Sequence, residues 1–141
     1  MEKELARLII EQRRLLQDIE AIYSEIVLLE RTIMERQAAL ASLREYKDSK
    51  EEREVLVPLG GNVYLPSKIV PGKNALVGVG ANIYITKPVD EAIGYIDKAI
   101  NQLNQIYRNR VSLLNQLRRR YDELTALISE MQLRAQKGET K

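Results

Sequence analysis

The chain has 141 residues, enough for one ordinary domain, and its 22 Lys and Arg against 20 Asp and Glu leave a net charge of only +2. That balance argues neither for an acid-seeking surface nor for a disordered tail, and the absence of Cys and His excludes a disulfide framework and the usual soft metal ligands. With no Phe or Trp and only seven Tyr, any core has to come from Leu, Ile and Val.

The first segment, about 2–52, holds neither Gly nor Pro. Steps of three and four from Leu5 reach Leu8, Gln12, Leu15, Ile19, Ile22, Ile26, Leu29, Ile33, Arg36, Leu40 and Leu43, and only Gln12 and Arg36 in that series are polar. A 3–4 repeat of this length keeps one apolar stripe facing a partner helix, so it predicts a coiled-coil helix. The charges interspersed after Met1 are not those of a secretory signal, and no run of about 20 apolar residues is present to span a bilayer. A soluble, cytoplasmic protein with no membrane partner is expected, and the lack of Cys suits a reducing compartment.

Residues 54–87 change character. They contain five of the seven glycines and three of the four prolines. Apolar residues alternate with period two through Val55, Val57 and Leu59, then Val63 and Leu65, then Val77 and Val79, then Ile83 and Ile85. Breaks at Gly60–Gly61, at Pro71–Gly72–Lys73–Asn74 and at Gly80–Ala81–Asn82 divide them into four short strands in two hairpins. Pro58 and Pro66 fit edge or bulged positions.

The last segment, about 89–137, repeats the helical pattern from Ile93 through Ile96, Ile100, Leu103, Tyr107, Arg110, Leu114, Leu117, Tyr121, Leu124, Ile128, Met131 and Ala135. Pro88 followed by Asp90 and Glu91 marks its start. Each of the two helices would be roughly 70–75 Å long.

Each stripe is too apolar to leave in water, at about 25 cal/mol per Å², so the helices are expected to pair as an antiparallel hairpin. Facing residue numbers would then total about 140 at matching turns. That places Leu5 near Ala135, Leu43 near Ile96 and Arg110 near Glu30. The expected fold is α+β, a single domain with a long antiparallel two-helix coiled coil and two β-hairpins inserted between the helices. Four strands in so short a stretch cannot bury both faces or satisfy both edges alone, so oligomerisation should complete the β platform.

The hairpin sequence LVPLGGNVYLPSKI (Leu56–Ile69), joined to VGVGANIYITK (Val77–Lys87), closely resembles the α class of archaeal prefoldin, and the resemblance covers essentially the whole chain. Two hairpins also separate it from the β class, which carries one. The resemblance implies a cytosolic hetero-hexamer of two α-class and four β-class prefoldin subunits. Its hairpins would form a platform, and its coiled-coil tips would capture non-native client proteins and pass them to a group II chaperonin without nucleotide. Carried onto this chain, Val55, Val57, Leu59, Val63, Leu65, Val77, Val79, Ile83 and Ile85 would serve oligomerisation. Leu5, Leu8, Ile9, Ile128, Met131 and Leu133 would bind substrate at the coil tips, with Ile9 and Leu133 lying off the 3–4 stripe. The basic tail, with Arg134, Lys137 and Lys141, matches no family motif.

No enzyme and no cofactor are expected, since the common general base and thiolate nucleophile are missing. Gly72–Lys73 resembles the end of a phosphate loop, but Asn74 follows it and Ser67 stands where the first glycine should be. Gly78–Val79–Gly80 opens a dinucleotide fingerprint, but Ile83 occupies the third glycine position. Arg118–Arg119–Arg120 points in three directions round a helix and is followed by Asp122 and Glu123, so no nucleic-acid partner is expected. The alternative to a chaperone subunit is a structural coiled-coil adaptor or filament-forming subunit, which would share the fold and ignore unfolded clients.

Overall fold

The computed structural model describes residues 2–139, and Lys141, the last basic residue of the tail, lies outside them. The chain runs α1 (Glu2–Asp48), β1 (Arg53–Gly60), β2 (Val63–Ile69), β3 (Asn74–Gly80), β4 (Ile83–Pro88) and α2 (Val89–Glu139). The described residues divide into two compact units, one of residues 2–32 with 103–139 and one of residues 33–102.

In the first unit, the beginning of α1 lies antiparallel to the end of α2. The buried residues Leu8, Ile26, Leu114, Leu124 and Ile128 all fall on the 3–4 stripes. Leu124 is completely buried, packing with Leu8 and Ile128, and Leu5, Ile9, Leu15 and Met131 close around that cluster. Polar pairs that flank this seam show its register. Gln12 donates to the Thr125 hydroxyl at 2.8 Å, Arg120 bonds Glu11 at 3.1 Å, and Arg110 meets Glu25 at 3.1 Å.

That register differs by about one helical turn from the one the sequence suggests. Arg110 does not reach Glu30; Glu30 instead accepts a hydrogen bond of 3.1 Å from the Tyr107 hydroxyl. The reason lies where α1 stops. The helix ends at Asp48 rather than near residue 52, and the Ser49 backbone N–H closes the final turn on the Tyr46 carbonyl. The connection therefore takes up about four more residues, and every facing pair moves by about a turn.

In the second unit, the end of α1 and the start of α2 are tied by an ion pair of 2.6 Å between Lys47 and Asp90. Lys47 sits in the last turn of α1 and Asp90 in the first turn of α2, so each charge also opposes the nearby helix dipole. The carboxylate of Asp90 accepts from the ammonium and holds the Lys47 pKa above its usual value. The Val89 N–H bonds the Lys73 carbonyl at 2.8 Å, which joins the start of α2 to the loop before β3. Ile33, Leu40 and Ile100 fill the seam here, and Val89 and Ala92 are buried beside it.

The strands pair only within their own hairpins, β1 with β2 and β3 with β4, as two separate two-stranded sheets. The two hairpins are a repeat: Leu56–Leu65 recurs twenty residues on as Leu76–Ile85, with Leu, Val, Gly, Asn and Tyr at matching places. Their registers match as well. Val57 pairs with Leu65 as Val77 pairs with Ile85, and both ladders slip once, at Leu59 and at Val79, just before the turn. The turns are Gly61–Asn62 (φ +57° and +63°) and Ala81–Asn82 (φ +51° and +59°), each with two left-handed residues as a tight hairpin requires. Gly60 and Gly80, at φ +99° and +112°, precede them in conformations only glycine adopts readily.

Candidate functional site

Among the described residues, no group of three or more His, Cys, Asp or Glu is placed to hold a metal ion, and no helix is long and apolar enough to cross a membrane. The features that remain are apolar surfaces.

One is on the hairpins. In an antiparallel pair, directly paired residues share a face and neighbours along a strand alternate. One face of the first hairpin therefore carries Val55, Val57, Val63 and Leu65, and one face of the second carries Val77, Ile83 and Ile85, with Leu59 and Val79 at the bulges. These are the residues the period-two pattern picks out. Only Val77 is buried, at 7% exposure, while Val55 and Val79 are half-buried and the others are exposed.

The opposite face is apolar too, and the sequence reading missed it. Leu56 and Tyr64 on the first hairpin, and Leu76 and Tyr84 on the second, are all exposed, Leu56 at 65% and Leu76 at 68%. The period-two set names one face of each hairpin, while Leu56, Tyr64, Leu76 and Tyr84 sit at the intervening positions. Continuous apolar runs of this kind mark strands covered on both faces. A two-stranded sheet with two greasy faces and two open edges is incomplete by itself.

The second hairpin stands over an open recess of about 600 Å³ lined by Leu43, Ala75, Val77, Ile83, Ile96 and Ala99, among others. Lys87 places its ammonium 5.0 Å from the centre of the Tyr95 ring beside it, a cation–π contact. On the other face, Gly78 leaves room for its cross-strand partner, since a Cβ there would come within 3.1 Å of the Tyr84 ring.

The second apolar surface is at the end of the helix pair in the first unit. Of the six residues expected there, Leu8 and Ile128 are buried in the seam and hold the two helices together. Leu5, Ile9 and Met131 are half-buried around them. Leu133 is the one fully on the surface, at 58% exposure. Ile10, one residue from Ile9 and not anticipated, is equally exposed. It lies on neither stripe, and a periodicity search has no means of finding it.

The family model for the prefoldin subunit matches residues 15–134. The chain is 30% identical over 128 residues to the prefoldin subunit alpha of Thermofilum pendens, covering 91% of this chain and 99% of that one. It is 29% identical over 131 residues to the prefoldin subunit alpha of Pyrococcus horikoshii, covering 92% of this chain and 88% of that one. Among solved structures, a filamentous PFD from Methanocaldococcus jannaschii, determined by cryo-EM, superposes with a TM-score of 0.67 at 29% identity, covering 81% of this chain and 94% of that chain.

Proposed function

The chain belongs to the prefoldin family, in its archaeal α class, and from that premise we propose that it is an ATP-independent holdase subunit working in a hetero-hexamer with β-class subunits. In this reading the hairpins add to strands of other subunits and the helix-pair ends take hold of non-native chains for delivery to a group II chaperonin. The observation that carries the assembly step is that both faces of each hairpin keep exposed apolar residues, Leu65 and Leu56 on the first and Ile85 and Leu76 on the second, and that each strand keeps an unpaired edge. Association would cover those faces at about 25 cal/mol per Å² of apolar surface and pair the open backbone groups.

Client capture rests on less surface. Leu133 and Ile10 are open, and Leu5, Ile9 and Met131 are half-buried beside the Leu8–Leu124–Ile128 cluster. Leu8 and Ile128 support that surface from beneath. Weak, non-directional apolar contacts of this kind suit clients that share no sequence.

The test is to purify the native complex with this chain as bait and dilute a chemically denatured protein into it without nucleotide while following light scattering. Suppressed aggregation at near-stoichiometric complex is expected. Unchanged scattering from a complex shown to be intact would overturn the holdase reading.

A second reading has one observation in its favour: the structural relative from Methanocaldococcus jannaschii is filamentous. The same open hairpins could join copies of this chain end to end. Electron microscopy of the purified chain without any β-class subunit separates the readings, since filaments longer than a hexamer arise only from the second.

A further inference from the structure

The seam does not account for all the apolar residues of α1. A second 3–4 series, about a quarter-turn round the helix from the first, runs Arg13, Leu16, Glu20, Tyr23, Val27 and Glu30. All six side chains are exposed. The flank of α1 on the other side of the seam holds Glu11 and Glu25, which are engaged by Arg120 and Arg110 across the helix pair. The flank with the second series makes no such ion pair. Arg13 and Glu20 take part in no side-chain hydrogen bond or salt bridge among the described residues, and Glu30 uses only its Oε1 atom, toward Tyr107.

We propose that this stripe pairs the chain with a second copy of itself, two α1 helices lying antiparallel about a twofold axis that passes between Ala21 and Ile22. The pairing follows from the spacing. When a 3–4 series packs antiparallel against its own copy, its two kinds of position face each other, and the register moves only in steps of seven residues. In the central register Leu16 meets the partner's Val27, Arg13 meets the partner's Glu30, and Glu20 meets the hydroxyl of the partner's Tyr23. Every position is matched, apolar to apolar and charge to an opposite charge or donor. By the twofold symmetry each contact forms twice.

The neighbouring registers fail. One heptad in one direction sets Glu20 against the partner's Glu30, two like charges at an interface. One heptad in the other sets Glu20 against the partner's Leu16 and leaves Arg13 facing the partner's Tyr23. Charge complementarity thus selects a copy of this chain in one register, whereas an unfolded polypeptide would have no use for Arg13 and Glu30 so placed. The inference stands apart from the holdase reading, because it concerns a flank of α1 that neither the hairpins nor Leu133 uses.

The chain has no native cysteine, which makes the test direct. The full-length Leu16→Cys/Val27→Cys variant is oxidised mildly and resolved on a non-reducing gel. Those two positions are about 16 Å apart along one helix and cannot bridge within a chain. In the proposed pair they meet between chains, so a disulfide-linked dimer several-fold above that of either single variant is expected. Single variants should give little dimer, because like positions lie about 16 Å apart across the axis. Adding Arg13→Glu should abolish the dimer, and adding Glu30→Arg as well should restore it. Circular dichroism confirms that each variant keeps its helices. Equal dimer from single and double variants, or dimer indifferent to the charge reversal, overturns the proposal. So does cross-linking that appears only when a denatured protein is added, which would assign the stripe to clients.

Discussion

The two hairpin turns provide a matched experiment within one chain. At the first left-handed position the first hairpin has Gly61 and the second has Ala81, at φ +57° and +51°. An L-residue held in that region carries a cost of about 1–2 kcal/mol that glycine escapes. Glycine returns about 0.4–1 kcal/mol of this through the greater freedom of its unfolded chain. Ala81→Gly is therefore expected to stabilise β3–β4 by about 0.5–1 kcal/mol. Gly61→Ala should destabilise β1–β2 by a similar amount. A Cβ at Gly61 would meet nothing within 4 Å, so the effect of that change is purely conformational. Because the hairpins share no ladder, each serves as the reference for the other. Amide hydrogen exchange read by mass spectrometry on peptides covering residues 53–69 and 74–88 is the assay. A change of about 1 kcal/mol alters protection roughly five-fold. Ala81→Gly should slow exchange in the second hairpin and leave the first unchanged, and Gly61→Ala should speed it in the first alone. Faster exchange in β3–β4 after Ala81→Gly, or equal changes in both hairpins, would refute the argument from φ.

Three further outcomes follow from the helix pair. Leu124→Ala opens a cavity at the one large side chain that is completely buried among the described residues, and should cost about 2–5 kcal/mol in chemical denaturation; a loss under 1 kcal/mol would mean the helices collapse onto the gap. Arg110→Leu replaces one member of an exposed ion pair with Glu25, worth about 0–1 kcal/mol, by an apolar residue on the stripe. Stability should therefore be unchanged or higher, and a large loss would show that the ion pair matters more than its exposure suggests. The Tyr107 pKa is raised above 10.0 because its hydroxyl donates to the Glu30 carboxylate, whose charge also disfavours the phenolate. A pKa raised by folding gives stability that is complete below the unfolded value and is lost as pH climbs through the folded one. In an ultraviolet titration the tyrosinate that disappears in Tyr107→Phe should be one ionising late, and Glu30→Gln should bring it down; an early-ionising Tyr107 would break the assignment.

Much of this architecture is legible from residues alone, and the misses have physical causes. Leu8, Ile26, Ile33, Leu40, Ile100, Leu114, Leu124 and Ile128 are buried where the 3–4 steps put them, because burial along a helix depends on spacing and little else. The register of the pair was not legible to better than a turn. It depends on where α1 stops, and the charged run from Lys47 to Glu54 holds neither a Gly nor a Pro to mark the end. On the hairpins, the alternation of Val and Ile drew attention from Leu56, Tyr64, Leu76 and Tyr84, which lie between them. A period of two picks out one face of a strand and skips the other, whatever stands there. At the end of the helix pair, Leu8 and Ile128 illustrate the converse: a residue on the seam is used up by the partner helix, so the open surface falls to residues off it, such as Leu133 and Ile10.

The hairpin repeat also contains a difference that bears on assembly. Pro58 pairs with Tyr64 and Pro66 with Leu56, and the first ladder runs unbroken from Arg53↔Ile69 to Pro58↔Tyr64. A proline within an intact antiparallel ladder occupies a position whose nitrogen points away from the partner strand. Each outer edge of the first hairpin is therefore missing one donor. The residues at the same places in the second hairpin are Gly78 and Thr86, which keep their N–H groups. A strand arriving from another subunit would find a complete row of outward donors only along β3, since Pro88, paired with Asn74, removes one at the end of β4. The first hairpin, guarded by proline on both edges, has to rely more on its apolar faces. Two copies of one motif can thus offer a partner two different kinds of contact, backbone pairing on one and side-chain burial on the other.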